Sequence, residues 1–217
     1  MRIIGYDIET APQDEDTLSQ AQKNWLETRM RPALEKNKGI ESEEELRRKI
    51  MGTTAFLGKI VCISVGEVFH GDKIKTASFT GTEKELLEKF WDYIAGSDQK
   101  LFVSFNGLKF DVSFISLRSF HHGVRATNGS FLNTIKFRKY PHFDIMAWMS
   151  DWGWPAPTLD VACNLAGIKS SKEGAIKAKD VTQAFLDGRI EEIAAYCEDD
   201  VRATLELYLK YMPYVRD

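Results

Sequence analysis

Acidic side chains occur at three separated points of the sequence. Asp7 and Glu9 end a β-branched run, Asp111 follows an Asn-Gly break, and Asp200 lies four positions after Tyr196. Period-two alternation puts Asp7 and Glu9 on one face of a strand, and the four-residue spacing puts Tyr196 and Asp200 on one face of a helix. Carboxylates gathered at close range repel one another unless cations neutralise them. If the fold brings these groups together, hard divalent cations are their natural partners.

Each acid also has an ordinary structural explanation. Asp7 and Glu9 fit a solvated strand end. Asp111 fits the first turn of a helix, where the macrodipole favours a negative charge by about 0.3–1 kcal/mol. Asp200, the last of three consecutive acids, fits a solvated helix face. Taken singly, none of the three positions decides between the two explanations.

The combination of acids indicates phosphoryl transfer with Mg²⁺ or Mn²⁺. Mg²⁺ prefers oxygen ligands and is held by one or two carboxylates together with substrate phosphate. Two such ions, roughly 3.5–4 Å apart, activate water and stabilise the leaving oxygen of a phosphodiester. The histidines and cysteines have no spacing that predicts a zinc site.

Apolar periodicity and turn residues predict the elements that must carry these acids. Strands are predicted over 2–8, 59–65, 75–79 and 101–105, with residues 66–72 as a turn region. Helices are predicted after the capping box of Thr82 and Glu85, from Phe110 onward, around 147–166 and over about 190–211. Residues 12–52 are charged and helix-favouring, which predicts a helical insertion within a single domain of residues 1–217. Strands first, then strands alternating with helices, indicate a mixed α/β or α+β sheet.

Composition bounds the function classes. A net charge of −3 argues against binding nucleic acid by bulk electrostatics, so any such contact must come from local patches. Residues 1–10 lack the apolar stretch of a signal peptide, and no segment approaches the ~20 apolar residues of a membrane span. The three cysteines, Cys62, Cys163 and Cys197, lie far apart in apolar contexts. We therefore expect a soluble, cytoplasmic protein without a membrane partner.

Three segments resemble the motifs of the DEDDy group of 3′-5′ exonucleases, specifically the proofreading domain of family B DNA polymerases. They are Asp7-Ile8-Glu9-Thr10, Asn106-Gly107-Leu108-Lys109-Phe110-Asp111 and Tyr196-Cys197-Glu198-Asp199-Asp200. The similarity extends over nearly the whole chain, including Gly58–Ser64, Thr82–Leu87 and His142–Asp144. Since the sequence to residue 217 contains no polymerase palm or fingers, we expect the chain to resemble the stand-alone relatives of that domain.

The resemblance implies an RNase H-like fold, a mixed sheet flanked by helices. It also implies that Asp7, Glu9, Asp111 and Asp200 hold two divalent ions, while Tyr196 helps position the attacking water.

Further roles follow from the same resemblance. Thr10, Asn106 and Phe110 are expected to contact the terminal nucleotide. Asn106 also fits a turn residue and Phe110 a core residue. Asp144 fits either a support for the site or a helix cap.

Helix geometry limits which acid of the third segment can act with Tyr196. At ~100° per residue, Asp200 lies about 40° from Tyr196, Asp199 about 60° away on the other flank, and Glu198 about 160° away. Apolar neighbours do not choose between Asp199 and Asp200. The resemblance assigns the role to Asp200.

A basic segment free of acids between Asp111 and Asp144 is the candidate substrate path. It contains Arg118, Arg125, Lys136, Arg138 and Lys139, interleaved with Phe131, Phe137 and Tyr140. Phosphate contacts with aromatic stacking are what a single-strand channel needs, although Phe131 and Phe137 also fit the core and the cations fit a solvated surface. A second group, in an exposed loop, comprises Lys169, Lys172, Lys177 and Lys179.

The sequence thus predicts an exonuclease acting on single-stranded nucleic acid with a free 3′ end, DNA rather than RNA. The alternative is a catalytically inactive nucleic-acid-binding module of the same fold. A third hypothesis, a structural or interaction protein with solvated acids, predicts no dependence on divalent metal.

Overall fold

Five strands form the central sheet of the structure, a computed structural model that describes residues 1–37, 39–96, 98–153, 155–170 and 176–215. The strands are β1 (Arg2–Pro12), β2 (Gly58–Phe69), β3 (Lys73–Phe79), β4 (Lys100–Ser104) and β5 (His142–Asp144). The helices are α1 (Gln20–Asn37), α2 (Glu43–Gly52), α3 (Glu83–Tyr93), α4 (Asp111–His122), α5 (Ile145–Met149), α6 (Leu159–Ala166), α7 (Val181–Leu186) and α8 (Ile190–Tyr211). Among the described helices, none has the length and apolar composition needed to cross a bilayer.

The sheet is mixed, with strand order β3-β2-β1-β4-β5. β1 pairs antiparallel with β2 and parallel with β4, and β5 is parallel to β4. The predicted pairing of the first strand with the β2–β3 meander is confirmed. Because β1, β4 and β5 run in one direction, their carboxyl ends lie at the same edge of the sheet. Only Arg2–Gly5 of β1 pair with β4, so the second half of β1 extends beyond its neighbour.

Helices cover both faces of the sheet, as the nearly continuous burial of β2 and β4 requires. On one face, Tyr6 and Ile8 of β1 join a core with α3 and α4. On the other face, residues of β2 and β4 pack against α6, α7 and α8. The capping box of Thr82 and Glu85 begins α3, as predicted. These two layers hold β1 at the centre of the molecule.

Two glycines allow α8 to lie close against the sheet. Gly5 of β1 and Gly66 of β2 are register partners. A Cβ at Gly5 would come within 2.7 Å of Leu205, and one at Gly66 within 2.7 Å of Val201. Since a side chain at either position would push the helix away, this close approach sets the depth at which α8 meets β1.

Gly66 also explains an incorrect strand boundary. The sequence suggested a turn over residues 66–72, but β2 continues to Phe69 and pairs with β3 through Phe69 and Lys73. Gly66 therefore serves helix packing within a strand, and the turn is confined to residues 70–72. The short helix α7 was also absent from the prediction.

The segment predicted to be a helical insertion contains α1 and α2. Their apolar faces pack together around Leu26, Met30, Leu46 and Met51. The hydroxyl of Thr10 donates a hydrogen bond of 2.7 Å to the carbonyl of Gly52 at the end of α2. This contact ties the insertion to the end of β1.

Candidate active site

The second half of β1 carries the first two carboxylates. Asp7 and Glu9 are half-buried and share one face of the strand, whereas Tyr6 and Ile8 are buried on the other. A β-bulge follows Glu9 in the register with β2. The alternation predicted from the sequence is therefore present in the structure.

A sharp turn after β4 brings the third carboxylate toward β1. Asn106 adopts φ of 70°, a left-handed conformation that Asn tolerates better than most residues. The carboxylate of Asp144 accepts hydrogen bonds from the backbone nitrogens of Asn106 at 3.0 Å and Leu108 at 3.1 Å. It also accepts one from Ala147, which caps α5. Asp144 thus both supports the turn and caps a helix.

One hydrogen bond fastens Asp111 to β1. Its buried Oδ1 accepts from the backbone nitrogen of Ile8 at 3.1 Å. Ile8 lies between Asp7 and Glu9, so the third carboxylate comes to rest beside the first two. The bond forms where β1 extends past its pairing with β4.

Helix α8 supplies the last two groups. The side chain of Tyr196 lies near the carboxylate of Asp200 one turn later, close enough for the two groups to interact. Asp199 instead pairs with Arg202, its carboxylate 3.3 Å from the guanidinium Nε. Glu198 accepts hydrogen bonds from hydroxyls of β3, so it points away from β1 as the helix geometry predicts.

Burial and mutual repulsion raise the pKa values of these acids. Burial raises the pKa of Asp7 well above its ordinary value, and the charges of Asp111, Asp200 and Glu9 raise it further. The pKa of Glu9 is raised by burial and then by Asp200. Burial raises the pKa of Asp111 to about 7. The four carboxylates, contributed by three separate elements, therefore lie close enough to interact, and we call them the carboxylate site.

Tyr196 stands beside the carboxylate site as a neutral phenol. Burial raises its pKa above the ordinary value, and the charges of Asp200, Glu9 and Asp7 act in the same direction. At pH 7 its hydroxyl is therefore protonated and available as a hydrogen-bond donor.

The donor set fits hard divalent cations. Among the described residues, Asp7, Glu9 and Asp111 form no ion pair with a lysine or arginine, so their repulsion is not offset by a protein cation. Oxygen atoms of Asp7 and Glu9 and the sulfur of Cys197 lie within 4.8 Å of one another. Carboxylate oxygens are the ligands that Mg²⁺ and Mn²⁺ prefer.

Three residues are expected to contact a terminal nucleotide, namely Thr10, Asn106 and Phe110. In the structure each of them has a role within the protein itself. Thr10 donates to Gly52, and Asn106 forms the turn after β4. Phe110 is half-buried, and its ring centroid lies 5.3 Å from that of Phe114. It also lines a cavity of about 110 Å³. Nothing in these contacts tests binding of a nucleotide, so the role stays a prediction.

The predicted basic channel included two residues, Arg118 and Phe131, that are buried inside the protein and cannot line it. Arg118 is buried and forms a bidentate pair with Glu83, and Phe131 is fully buried in the core beneath β1. The loop that holds the other residues leads into the amino end of β5. Near that end, Lys139 lies 3.5 Å from the carbonyl of Val215, beyond the end of α8.

The second basic group is exposed where the structure describes it. Lys169, Lys177 and Lys179 are exposed, and Lys172 lies outside the described residues. The side chain of Arg202 on α8 reaches the carbonyl of Lys169 at 3.5 Å, so this part of the loop passes near α8.

Sequence reasoning missed two features of this region. Cys197 was assigned only to the apolar stripe of α8, yet its sulfur lies 3.5 Å from Oδ2 of Asp7. A cavity of about 430 Å³ also opens where β1 ends, lined in part by Arg48, Lys59 and Phe185. The stripe of α8 predicted burial of Cys197, but only the crossing of α8 over β1 selects its partner.

Comparisons with known proteins agree with this architecture. The family model of predicted 3′-5′ exonucleases related to the exonuclease domain of PolB matches residues 53–216. The DNA polymerase of Thermococcus sp. (strain 9oN-7) is 23% identical over an alignment of 145 residues, and the match covers 61% of this chain and 18% of that polymerase. The chain thus spans under a fifth of the length of this curated relative.

Solved structures extend the likeness to β1, which precedes the residues matched by the family model. The family B DNA polymerase of the archaeon Pyrobaculum calidifontis aligns with a TM-score of 0.59 at 18% identity, over 98% of this chain and 25% of the polymerase. E. coli Exonuclease I in complex with a dT13 oligonucleotide aligns with a TM-score of 0.50 at 10% identity, over 98% and 42% of the two chains.

At these identities the likeness concerns the fold, and the predicted RNase H-like fold is confirmed. With the family model matching most of its length, the chain belongs to the family of predicted 3′-5′ exonucleases related to the exonuclease domain of PolB.

Proposed function

We propose that the chain is a metal-dependent DEDDy exonuclease that removes nucleotides from the 3′ end of single-stranded nucleic acid, DNA in preference to RNA. The observation that carries the proposal is the convergence of Asp7, Glu9, Asp111 and Asp200 beside Tyr196, from one strand and two helices. Membership of the exonuclease family supports the reaction class. Single-stranded DNA as the substrate is supported by the structural likeness to Exonuclease I, which was solved with dT13.

The four carboxylates would hold two Mg²⁺ or Mn²⁺ ions together with the substrate phosphate. When bound, such ions lower the pKa of water and stabilise charge on the leaving oxygen. The protein contributes a fixed arrangement of ligands. Asp111 is held by Ile8 and the turn before it by Asp144, so neither carboxylate depends on a mobile loop for its position.

Tyr196 would orient the attacking water. Its hydroxyl is neutral and lies near Asp200, which places a hydrogen-bonding group at the edge of the carboxylate site. In the reaction, the water oxygen bonds to phosphorus and the bond to the 3′ oxygen of the preceding nucleotide breaks. The products are a nucleoside 5′-monophosphate and a strand shortened by one residue with a new 3′ hydroxyl.

The reaction is tested with end-labelled oligonucleotides. Single-stranded DNA, duplex DNA and RNA are incubated with the protein and Mg²⁺ or Mn²⁺, and again with EDTA. We expect stepwise shortening of single-stranded DNA from its 3′ end, abolished by EDTA and blocked by a 3′-phosphate but unaffected by a 5′ block. Digestion from 5′ ends, or cleavage that survives EDTA, would contradict the proposal. Binding without cleavage under every metal condition would indicate the inactive nucleic-acid-binding module.

A further inference from the structure

A row of buried and half-buried polar side chains runs from Asp7 across the face of the sheet that α8 covers. Cys197 of α8 lies 3.5 Å from both the carbonyl oxygen and Oδ2 of Asp7. Cys197 also packs with Cys62 of β2 in one buried cluster. Cys62 lies opposite Glu9 in the β1–β2 register, and both cysteines are buried. The first two members of the row therefore lie directly beneath the carboxylate site.

The row continues onto β3 and returns to α8. Ser64, the register partner of Asp7, lies 3.9 Å from the sulfur of Cys62 and 2.7 Å from the hydroxyl of Ser78. Ser78 in turn donates to Oε1 of Glu198 at 2.8 Å. We call Cys62, Ser64, Ser78 and Glu198 the hydrogen-bond chain. It runs from an acid that points away from the carboxylate site to the thiol that packs with Cys197.

The carboxylates at both ends fix the direction of the hydrogen bonds. An ionised carboxylate only accepts, so Ser78 gives its single proton to α8, and Ser64 must then be the donor to Ser78. Cys62 then donates to Ser64, and the S–H of Cys197 donates separately to Asp7. Each hydroxyl and thiol thus has one favoured orientation, and with both thiol protons used, Cys62 and Cys197 pack together without a hydrogen bond between them.

We propose that Cys197 is a positioning residue for Asp7, and that the hydrogen-bond chain of Cys62, Ser64, Ser78 and Glu198 supports Cys197 by packing against it from the sheet. The inference rests on the proposed function, because it concerns how a metal-binding carboxylate is oriented. The thiol engages Oδ2 of Asp7 from the helix side, which restricts rotation of the carboxylate and fixes the directions left open to a cation. Groups that orient metal ligands in this way typically matter 10–100-fold for metal affinity or activity.

The decisive comparison is between Cys197→Ala and Cys197→Ser. The alanine variant loses the donor to Asp7, and we expect its affinity for Mn²⁺ to fall about tenfold, the lower end of that range because S–H is a weak donor. The serine variant restores a donor at the same position and should bind Mn²⁺ within about threefold of the parent. Cys163→Ala removes another buried thiol, outside the hydrogen-bond chain, and should match the parent.

Mn²⁺ binding is measured directly by titration calorimetry and by the loss of the free-ion paramagnetic resonance signal, with thermal melts in EDTA as a check on folding. The Mg²⁺ concentration that gives half-maximal cleavage is measured in parallel. Equal Mn²⁺ affinity of the alanine variant and the parent would overturn the positioning role, as would failure of the serine variant to recover affinity. A parent that binds Mn²⁺ but cuts no nucleic acid would contradict the proposed function alone, since the binding comparison stands without cleavage.

The remaining members of the chain provide a graded test. Ser64→Ala acts on Asp7 through Cys62 and Cys197, and Glu198→Gln acts through one further hydroxyl. We expect the loss of Mn²⁺ affinity to shrink from Cys197→Ala to Ser64→Ala to Glu198→Gln. A loss that is largest for Glu198→Gln would contradict the chain and show a direct contact between Glu198 and the metal site.

Discussion

Two groups of acids in this protein face opposite electrostatic surroundings. The carboxylate of Glu83, at the start of α3, accepts from both Nε and Nη2 of Arg118, from the backbone nitrogen of Ile60, and contacts Nε2 of His122. Burial alone would raise its pKa, yet these partners lower it. In the carboxylate site, burial and neighbouring acids both raise the pKa of Asp7.

Glu83 stabilises the fold through its ion pair and hydrogen bonds, whereas the fold brings the acids of the carboxylate site together despite their mutual repulsion. Glu83 joins α3, α4 and the start of β2, and its charge is matched within the protein. The charges of Asp7 and Glu9 are matched by no cation among the described residues, so folding places them together at an electrostatic cost. Such a cost is expected where the missing positive charge arrives with a ligand.

The largest difference between the two groups should appear on neutralising Asp7. Asp7→Asn keeps the shape of the side chain while removing a charge needed to hold cations, so metal-dependent cleavage should fall to the detection limit. The fold should remain, since less repulsion is left in the site. Oligonucleotide digestion and circular dichroism check the two expectations. Activity within a few-fold of the parent would remove Asp7 from the set of ligands.

Removing the hydroxyl of Tyr196 should be less severe. We expect Tyr196→Phe to slow hydrolysis by about 10²-fold, within the range of 10²–10⁴ typical of groups that orient or transfer protons. Binding of Mn²⁺ should be retained, because the phenol is proposed to orient water and not to bind the ion. Single-turnover cleavage and Mn²⁺ titration measure the two quantities. An unchanged rate would exclude the residue from the reaction.

Neutralising Glu83, whose charge is matched by Arg118, should lower the stability of the protein and leave its activity nearly unchanged. Glu83→Gln leaves Arg118 buried without a counter-charge, and we expect the free energy of unfolding to fall by about 3 kcal/mol, as when one partner of a buried ion pair is lost. Cleavage per folded molecule should stay within about twofold of the parent. Denaturant unfolding and active-site-normalised rates test this. A rate loss comparable to that of Asp7→Asn would end the distinction between the two groups.

Stability of the metal-free protein should fall between pH 5 and pH 7. The pKa of an Asp side chain in the unfolded chain is about 3.9, whereas the pKa of Asp111 in the fold is about 7. Through this window the folded state retains a proton that the unfolded chain releases, so the free energy of unfolding decreases as pH rises. Thermal melts in EDTA should show this decrease in stability with pH, and Asp111→Asn should make the stability less dependent on pH. Added Mg²⁺ should stabilise the parent protein more at pH 7 than at pH 5. A stability that rises over this window in EDTA contradicts the assignment.

The smallest effect is expected at Asp199, which tests the orientation of α8. Asp199 pairs with Arg202 on the helix surface, so Asp199→Ala should leave most of the activity in place. Asp200→Ala should abolish cleavage and weaken Mn²⁺ binding. The reverse pattern would show that the helix presents a different acid to β1.

The sequence by itself predicted most of the strands and helices and which acids share a face, although it missed α7 and ended β2 too early. Period-two alternation set Asp7 and Glu9 on one face, the four-residue spacing paired Tyr196 with Asp200, and the span of α8 was predicted at residues 190–211. These features depend on local geometry, which a sequence pattern records directly. The motif resemblance added the expectation that separate segments meet.

Tertiary structure alone decided which charges are matched and which are not. Nothing local distinguishes Arg118 from the other cations of its segment, but the packing of α4 against α3 buries it on Glu83 and removes it from any substrate channel. In the same way, Gly66 resembles a turn signal until α8 packs on it, and Cys197 resembles a core residue until that helix brings its sulfur to Asp7. Such pairings depend on distances between elements remote in sequence, which periodicity cannot specify.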